Sequence, residues 1–253
     1  MSSQYRTQSI VLGLSGFLLL FIVWYIAFIA KVYSPLLVPS PIEVIEKSIS
    51  LLGSKTFLLH ASATFGRILT AFIIAAVVGI VLGLFVGYYR IIDRMTLPLI
   101  DFMRSIPGIV LFPLFILFFG VGNTSRLLVA IFVAMPIILV NTKYGVINSG
   151  KMRKNMSKLY RLDKCTLFCK VIIPEASPYI FTGLRIGISL SIILVIVTEM
   201  MLGTTYGVGQ LLIHAQYHFE TPKIYAIIVL LGFIGYMLNF CFNIVERNIF
   251  HWR

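Results

Sequence analysis

The residues able to do chemistry in this chain are ionisable groups set inside apolar runs, where a charge is expensive and therefore a functional candidate. Glu199 lies near the end of one such run, placed to gate a pathway, to meet an external protein or to pair with a neighbouring Arg. Arg185 stands 14 residues earlier in the same run, about 21 Å away on a helix, too far for the two to pair. It is read either as half of a structural ion pair or as a positive lining suited to anions. Asp101 and Arg104, at i, i+3, form a local pair. His214 and His218 have a metal-ligand spacing, but Ala215-Gln216-Tyr217 between them carries no carboxylate and no third ligand is evident. Cys165 and Cys169 share that spacing without a histidine nearby, so inert thiols are expected. Gly53-Ser54-Lys55-Thr56 faintly resembles the end of a phosphate-binding loop, with one residue too many before Lys and no earlier glycine. No nucleophile–base set occurs. The expectation is no catalytic residue, no metal and no cofactor on this chain; any use of ATP needs a second chain.

The elements that position these groups follow from composition. Of 253 residues, 59% are hydrophobic and 12% charged, which leaves too little polar surface for a soluble domain. This is an integral membrane protein. The net charge of +12 does not point to nucleic acid, because Lys and Arg lie mainly between apolar runs and no aromatics interleave with them. A helix needs about 20 apolar residues to cross a bilayer. Runs of that kind predict six spans at about 10–30, 63–89, 97–119, 127–144, 176–202 and 224–244, forming a single transmembrane domain over 1–253. Lys and Arg on the side of the termini outnumber those opposite by roughly two to one, which places both termini in the cytoplasm. Gly79, Gly83 and Gly87 give the second span a groove for another backbone, as do Gly183 and Gly187 in the fifth. Pro98, Pro107 and Pro113 predict that the third span is kinked or broken, as in transporter helices that line a pathway.

Residues 145–175 form a basic cytoplasmic loop. Met152, Met156, Leu159 and Tyr160 make an apolar stripe on a short helix, with Lys151, Arg153, Lys154, Lys158 and Arg161 on its other faces. Asp163 caps a second helix over about 164–172, ended by Pro174, with a bend near Arg161 and Leu162. Such a pair either lies on anionic membrane lipid or docks a cytosolic partner, and composition does not decide between these.

Lys170-Val-Ile-Ile-Pro174, Ala176, Pro178, Thr182-Gly-Leu-Arg185, Glu199-Met200 and Gly207-Val-Gly209 resemble the C-terminal half of an ABC importer permease. The subgroup is the one for nitrate, sulfonate, taurine, bicarbonate and thiamine precursors. Upstream, Pro39-Ser-Pro-Ile-Glu43-Val44, Pro98, Arg104-Ser-Ile-Pro107, Phe119-Gly-Val-Gly122, Asn141-Thr142 and Gly145-Val146 extend the match.

The resemblance implies an all-α permease of the bacterial inner (plasma) membrane, with a coupling-helix loop between helices 4 and 5. It implies a dimer with a second copy or a paralogue, an extracytoplasmic solute-binding protein, and cytosolic ABC ATPase subunits that use the ATP. The cargo would be a small anionic or heterocyclic nutrient. ATPase coupling would fall to Asn155, Met156, Ser157, Leu159, Tyr160, Arg161 and Pro174, and the pathway or gate to Glu199, Arg185, Arg104 and Pro107. The family's Glu-Ala-Ala and following Gly are replaced by Asn155, Met156, Ser157 and Arg161. That departure fits one half of a heterodimer, an altered ATPase contact, or a permease that no longer couples. An ATP-independent transporter or channel, or a non-transporting scaffold, is the alternative.

Overall fold

A computed structural model describes residues 3–31, 33–34, 36–148, 163–202 and 204–249, and among these every regular element is helical. The chain divides into two compact units, Met1–Leu58 with Leu211–Gly232, and Leu59–Gln210 with Phe233–Arg253.

In the first unit, α1 (Ser3–Ile29) leads through a short loop to α2 (Pro41–Leu52). Ser40 caps α2 by accepting the Glu43 N–H at 3.1 Å, and Pro41 sits in the first turn, where its missing donor costs nothing. Pro41, Val44, Ser48 and Leu51 form its buried stripe. Trp24 stacks on Tyr225 at 5.6 Å, and Thr221 and Tyr225 donate to the carbonyls of Leu36 and Leu37.

The second unit is built on α6 (Asn123–Asn148) and α8 (Ile173–Met201), with α3 (Lys55–Tyr88) against α6. A β-carbon on Gly79, Gly83 or Gly87 would fall 2.6–2.9 Å from Met135, Leu139, Thr142 or Val146 of α6. Gly183 and Gly187 of α8 lie equally close to Asn141 and Ile138. Lipid offers no hydrophobic drive for helix association, so this close backbone approach supplies the attraction. We expect Gly83→Leu to force α3 off α6 and to lower the melting temperature of the purified protein clearly. Gly66→Ala, with open space around it on the same helix, should leave the melting temperature nearly unchanged.

The expected third span is not one helix. α4 (Arg90–Ser105) and the segment Gly108–Phe119, comprising a 3-10 turn and α5 (Phe112–Phe119), meet at 87°. The break falls at Ile106-Pro107 because a residue before proline is pushed out of the helical region, and Ile106 is extended (φ −82°, ψ 121°). At the other end of α4, the Lys143 ammonium of α6 reaches Asp93 at 2.8 Å, its side chain only 4% exposed.

The fifth span also departs from expectation. Asp163 does cap a helix, accepting the Thr166 N–H at 3.1 Å, and the Thr166 hydroxyl and N–H hold its carboxyl below the usual range. That helix does not stop at Pro174, however. α7 (Lys164–Leu167), a π turn (Phe168–Ile172) and α8 run on as one helix from Cys165 to Met201. The wide turn shifts the hydrogen-bond ladder just ahead of Pro174, which then behaves as a first-turn proline. Among the described residues, four helices are long and apolar enough to cross a membrane, or five counting the bent pair as one span; the apolar part of α1, Ser15–Ile29, is shorter. α9 (Val208–Tyr217) and α10 (Thr221–Ile249) complete the chain.

Candidate functional site

Glu199, two residues from the end of α8, is 1% exposed and carries the most fully engaged carboxylate in the described chain. Arg67 donates to it from Nη1 at 2.6 Å, the Thr64 hydroxyl shares its proton between both oxygens at 2.9 and 3.0 Å, and the Gly209 N–H donates at 3.0 Å. His60, Thr64 and Arg67 fall at i, i+4 and i+7, so they share one face of α3. Each has a second task. The Gly207 N–H donates to His60 Nδ1 at 3.0 Å, and the Val208 N–H donates to the Thr64 hydroxyl at 2.8 Å. Arg67 also donates to the Tyr206 carbonyl and to Asn123 Oδ1 at the start of α6.

The glycines of Gly207-Val208-Gly209 are there for space. A β-carbon on Gly207 would lie 2.7 Å from the Glu199 carboxylate, and one on Gly209 would lie 2.4 Å from the Ile196 carbonyl. Beside them, Arg126 donates to the Leu202 carbonyl at 2.9 Å and so caps the end of α8. Arg67, Arg126, Asn123, Thr204 and Tyr206 line a cavity of about 470 Å³. Both Glu199 oxygens are thus engaged, by one charged donor and two neutral ones. The arrangement is a clamp joining α3, α6, α8 and the start of α9. Removing one partner of such a buried pair strands the other charge.

The other expected site residues lie elsewhere. Arg185 pairs with Glu246 of α10 and takes no part in the clamp. Arg104 is exposed at the end of α4, 3.9 Å from Asp101, and Pro107 marks the break between α4 and the 3-10 turn. Pro174 stands in the first turn of α8. Asn155, Met156, Ser157, Leu159, Tyr160 and Arg161 lie outside the described residues. His218 Nδ1 lies 2.8 Å from the His214 carbonyl, and no cluster of three metal-ligating side chains occurs among the described residues.

Sequence reasoning missed Arg67, Thr64, His60 and Asn123. The polar stripe 60/64/67 on an otherwise apolar helix was the available signal. Lys143, at the end of the expected span 127–144, is another group with a partner that residue spacing does not reveal: the structure buries it against Asp93.

Residues 75–251 match the model of the family described as binding-protein-dependent transport system inner membrane component. The chain is 30% identical to the formylaminopyrimidine transport permease protein of Halalkalibacterium halodurans over 94% of both chains. It is 25% identical to the taurine transport system permease protein of Escherichia coli, over 98% of this chain and 91% of that one. A subunit in a structure of the inward-facing MetNI methionine ABC transporter superposes with a TM-score of 0.64 at 19% identity, covering 78% of this chain and 99% of that one, a likeness of fold. The chain therefore belongs to the binding-protein-dependent transport system inner membrane component family, as an ABC transporter permease of the nitrate, sulfonate, taurine and bicarbonate group.

Proposed function

We propose that this permease forms a translocation pathway with a second copy or a paralogue, and imports a small anionic or heterocyclic nutrient delivered by an extracytoplasmic binding protein. Six spans cross the membrane with both termini cytoplasmic, and two cytosolic ATPase subunits, which hold the ATP, dock on the segment around residues 145–175. Their closure pulls that segment and switches the pathway from inward- to outward-facing.

The observation that carries this reading is the unbroken helix from Cys165 to Met201, 37 residues and about 55 Å long. It begins within the docking segment and finishes at the Glu199 clamp. A displacement at one end therefore reaches the other along one continuous helix. The relatives' names support the cargo class.

Purification in mild detergent should bring down an ATPase with a phosphate-binding loop, together with a second permease if the altered residues Asn155, Met156, Ser157 and Arg161 mark a heterodimer. A folded permease that copurifies with no ATPase would overturn the reading. In the assembled complex, Tyr160→Asp should abolish substrate-stimulated ATP hydrolysis while leaving membrane insertion intact. Unchanged hydrolysis would count against docking through that face.

A further inference from the structure

Two of the three cysteines stand together. Cys165 and Cys169 are both exposed, the charge of Cys169 beside it pushes the Cys165 thiol up, and both line a cavity of about 720 Å³ bounded by Phe85, Tyr88, Tyr89 and Phe168. They straddle the junction of α7 with the π turn, directly ahead of α8. The helix they begin is about 55 Å long, well beyond the ~30 Å hydrocarbon core. Asp163, Lys164 and Lys170 at this end place it outside the core.

We propose that Cys165 and Cys169 are a modification site, closing reversibly into an intrahelical disulfide when a peroxide reaches them. Helical residues at i, i+4 have α-carbons about 6 Å apart, inside the range that a disulfide spans. Their β-carbons are about 5–6 Å apart, against about 4 Å in a disulfide. Closure therefore tightens the turn, and the adjoining wide turn is where the backbone can yield. A bond made this way is strained and readily reduced, as suits a switch in a compartment that keeps thiols reduced.

The chemistry balances. One thiolate attacks a peroxide oxygen, the S–O bond forms as O–O breaks, and hydroxide leaves to become water. The second thiolate then attacks the sulfenic sulfur, S–S forms as S–O breaks, and a second water departs. Two thiols lose two electrons and hydrogen peroxide gains them. The effect on transport rests on the coupling role proposed above; the disulfide itself does not.

The test uses the full chain in lipid nanodiscs, treated with hydrogen peroxide, alkylated and read by peptide mass spectrometry. Cys165 and Cys169 should be recovered as one linked peptide, open to alkylation again after dithiothreitol, while Cys241 stays alkylated throughout. Full alkylation of both thiols after peroxide, equal oxidation of Cys241, or a disulfide between two copies on a non-reducing gel would each overturn the site. With its ATPase present, peroxide should lower substrate-stimulated hydrolysis several-fold, reversibly, and have no such effect on the Cys165→Ser/Cys169→Ser protein. A linked peptide with unchanged hydrolysis keeps the disulfide and removes its effect on coupling. Loss of hydrolysis without any linked peptide overturns the proposal.

Discussion

Glu199→Gln is expected to destabilise the protein by about 3–5 kcal/mol, because it leaves the Arg67 guanidinium buried against a neutral group. Domains are stable by only about 5–15 kcal/mol, so the variant should show a large fall in melting temperature and poor survival in detergent. A glutamine oxygen still accepts from Thr64 or from the Gly209 N–H. The loss therefore falls on the charge pair more than on hydrogen-bond number. Glu199→Gln combined with Arg67→Met should be less damaging than the two single changes added together. A double-mutant cycle on melting stability measures this directly, and a coupling energy near zero would show that the 2.6 Å contact is not what holds the clamp. Transport separates a gate from a brace. If the variant, kept folded at low temperature, transports at the normal rate, Glu199 braces the fold and does not gate.

The parts of this molecule legible in the sequence were those written in local pattern. Apolar runs located the four described helices long and apolar enough to cross a membrane, and the bent pair, and the Gly79/Gly83/Gly87 repeat marked the face of α3 that meets α6, since only a missing β-carbon permits that approach. Prolines located the break between α4 and α5 because their effect on the preceding residue is local. The same rule failed at Pro174, where the π turn absorbed the proline and α8 ran through. A ladder shift of that kind leaves no mark in residue types. The clamp was half visible. Glu199 stood out as a charge in an apolar run, but its partner lies 132 residues away on α3, a pairing set by how the helices cross. Arg67 and Lys143 both fall inside the expected spans 63–89 and 127–144, near one end of each, where they enter only the tally of charge on either side of the membrane. Both assignments came from reading each cation by its distance from the end of an apolar run, which says nothing about the neighbouring helix.

The glycines below the clamp give the second large prediction. Gly209→Ala should detach the start of α9 from α8, with loss of the Gly209–Glu199 hydrogen bond and of transport. Backbone conformation is not the reason. Among the described glycines only Gly120 has a positive φ, so alanine fits the Gly209 backbone and its helix propensity would favour it. The cost is steric. The new methyl would sit 2.4 Å from the Ile196 carbonyl oxygen and 2.7 Å from the Glu199 β-carbon, and a carbonyl inside α8 cannot retreat without breaking the helix ladder. Overpacking of this kind costs about 1–3 kcal/mol, and here the displacement opens the Glu199 pocket as well. Gly235→Ala on α10 is the matched control, with nothing within 4 Å of its new methyl, and should leave stability unchanged or slightly raised. Melting temperature and transport measured on both variants distinguish the two cases. Equal behaviour of the pair would mean that α8 and α9 are not in contact through Gly209, and the clamp would then lack the backbone donor that completes it.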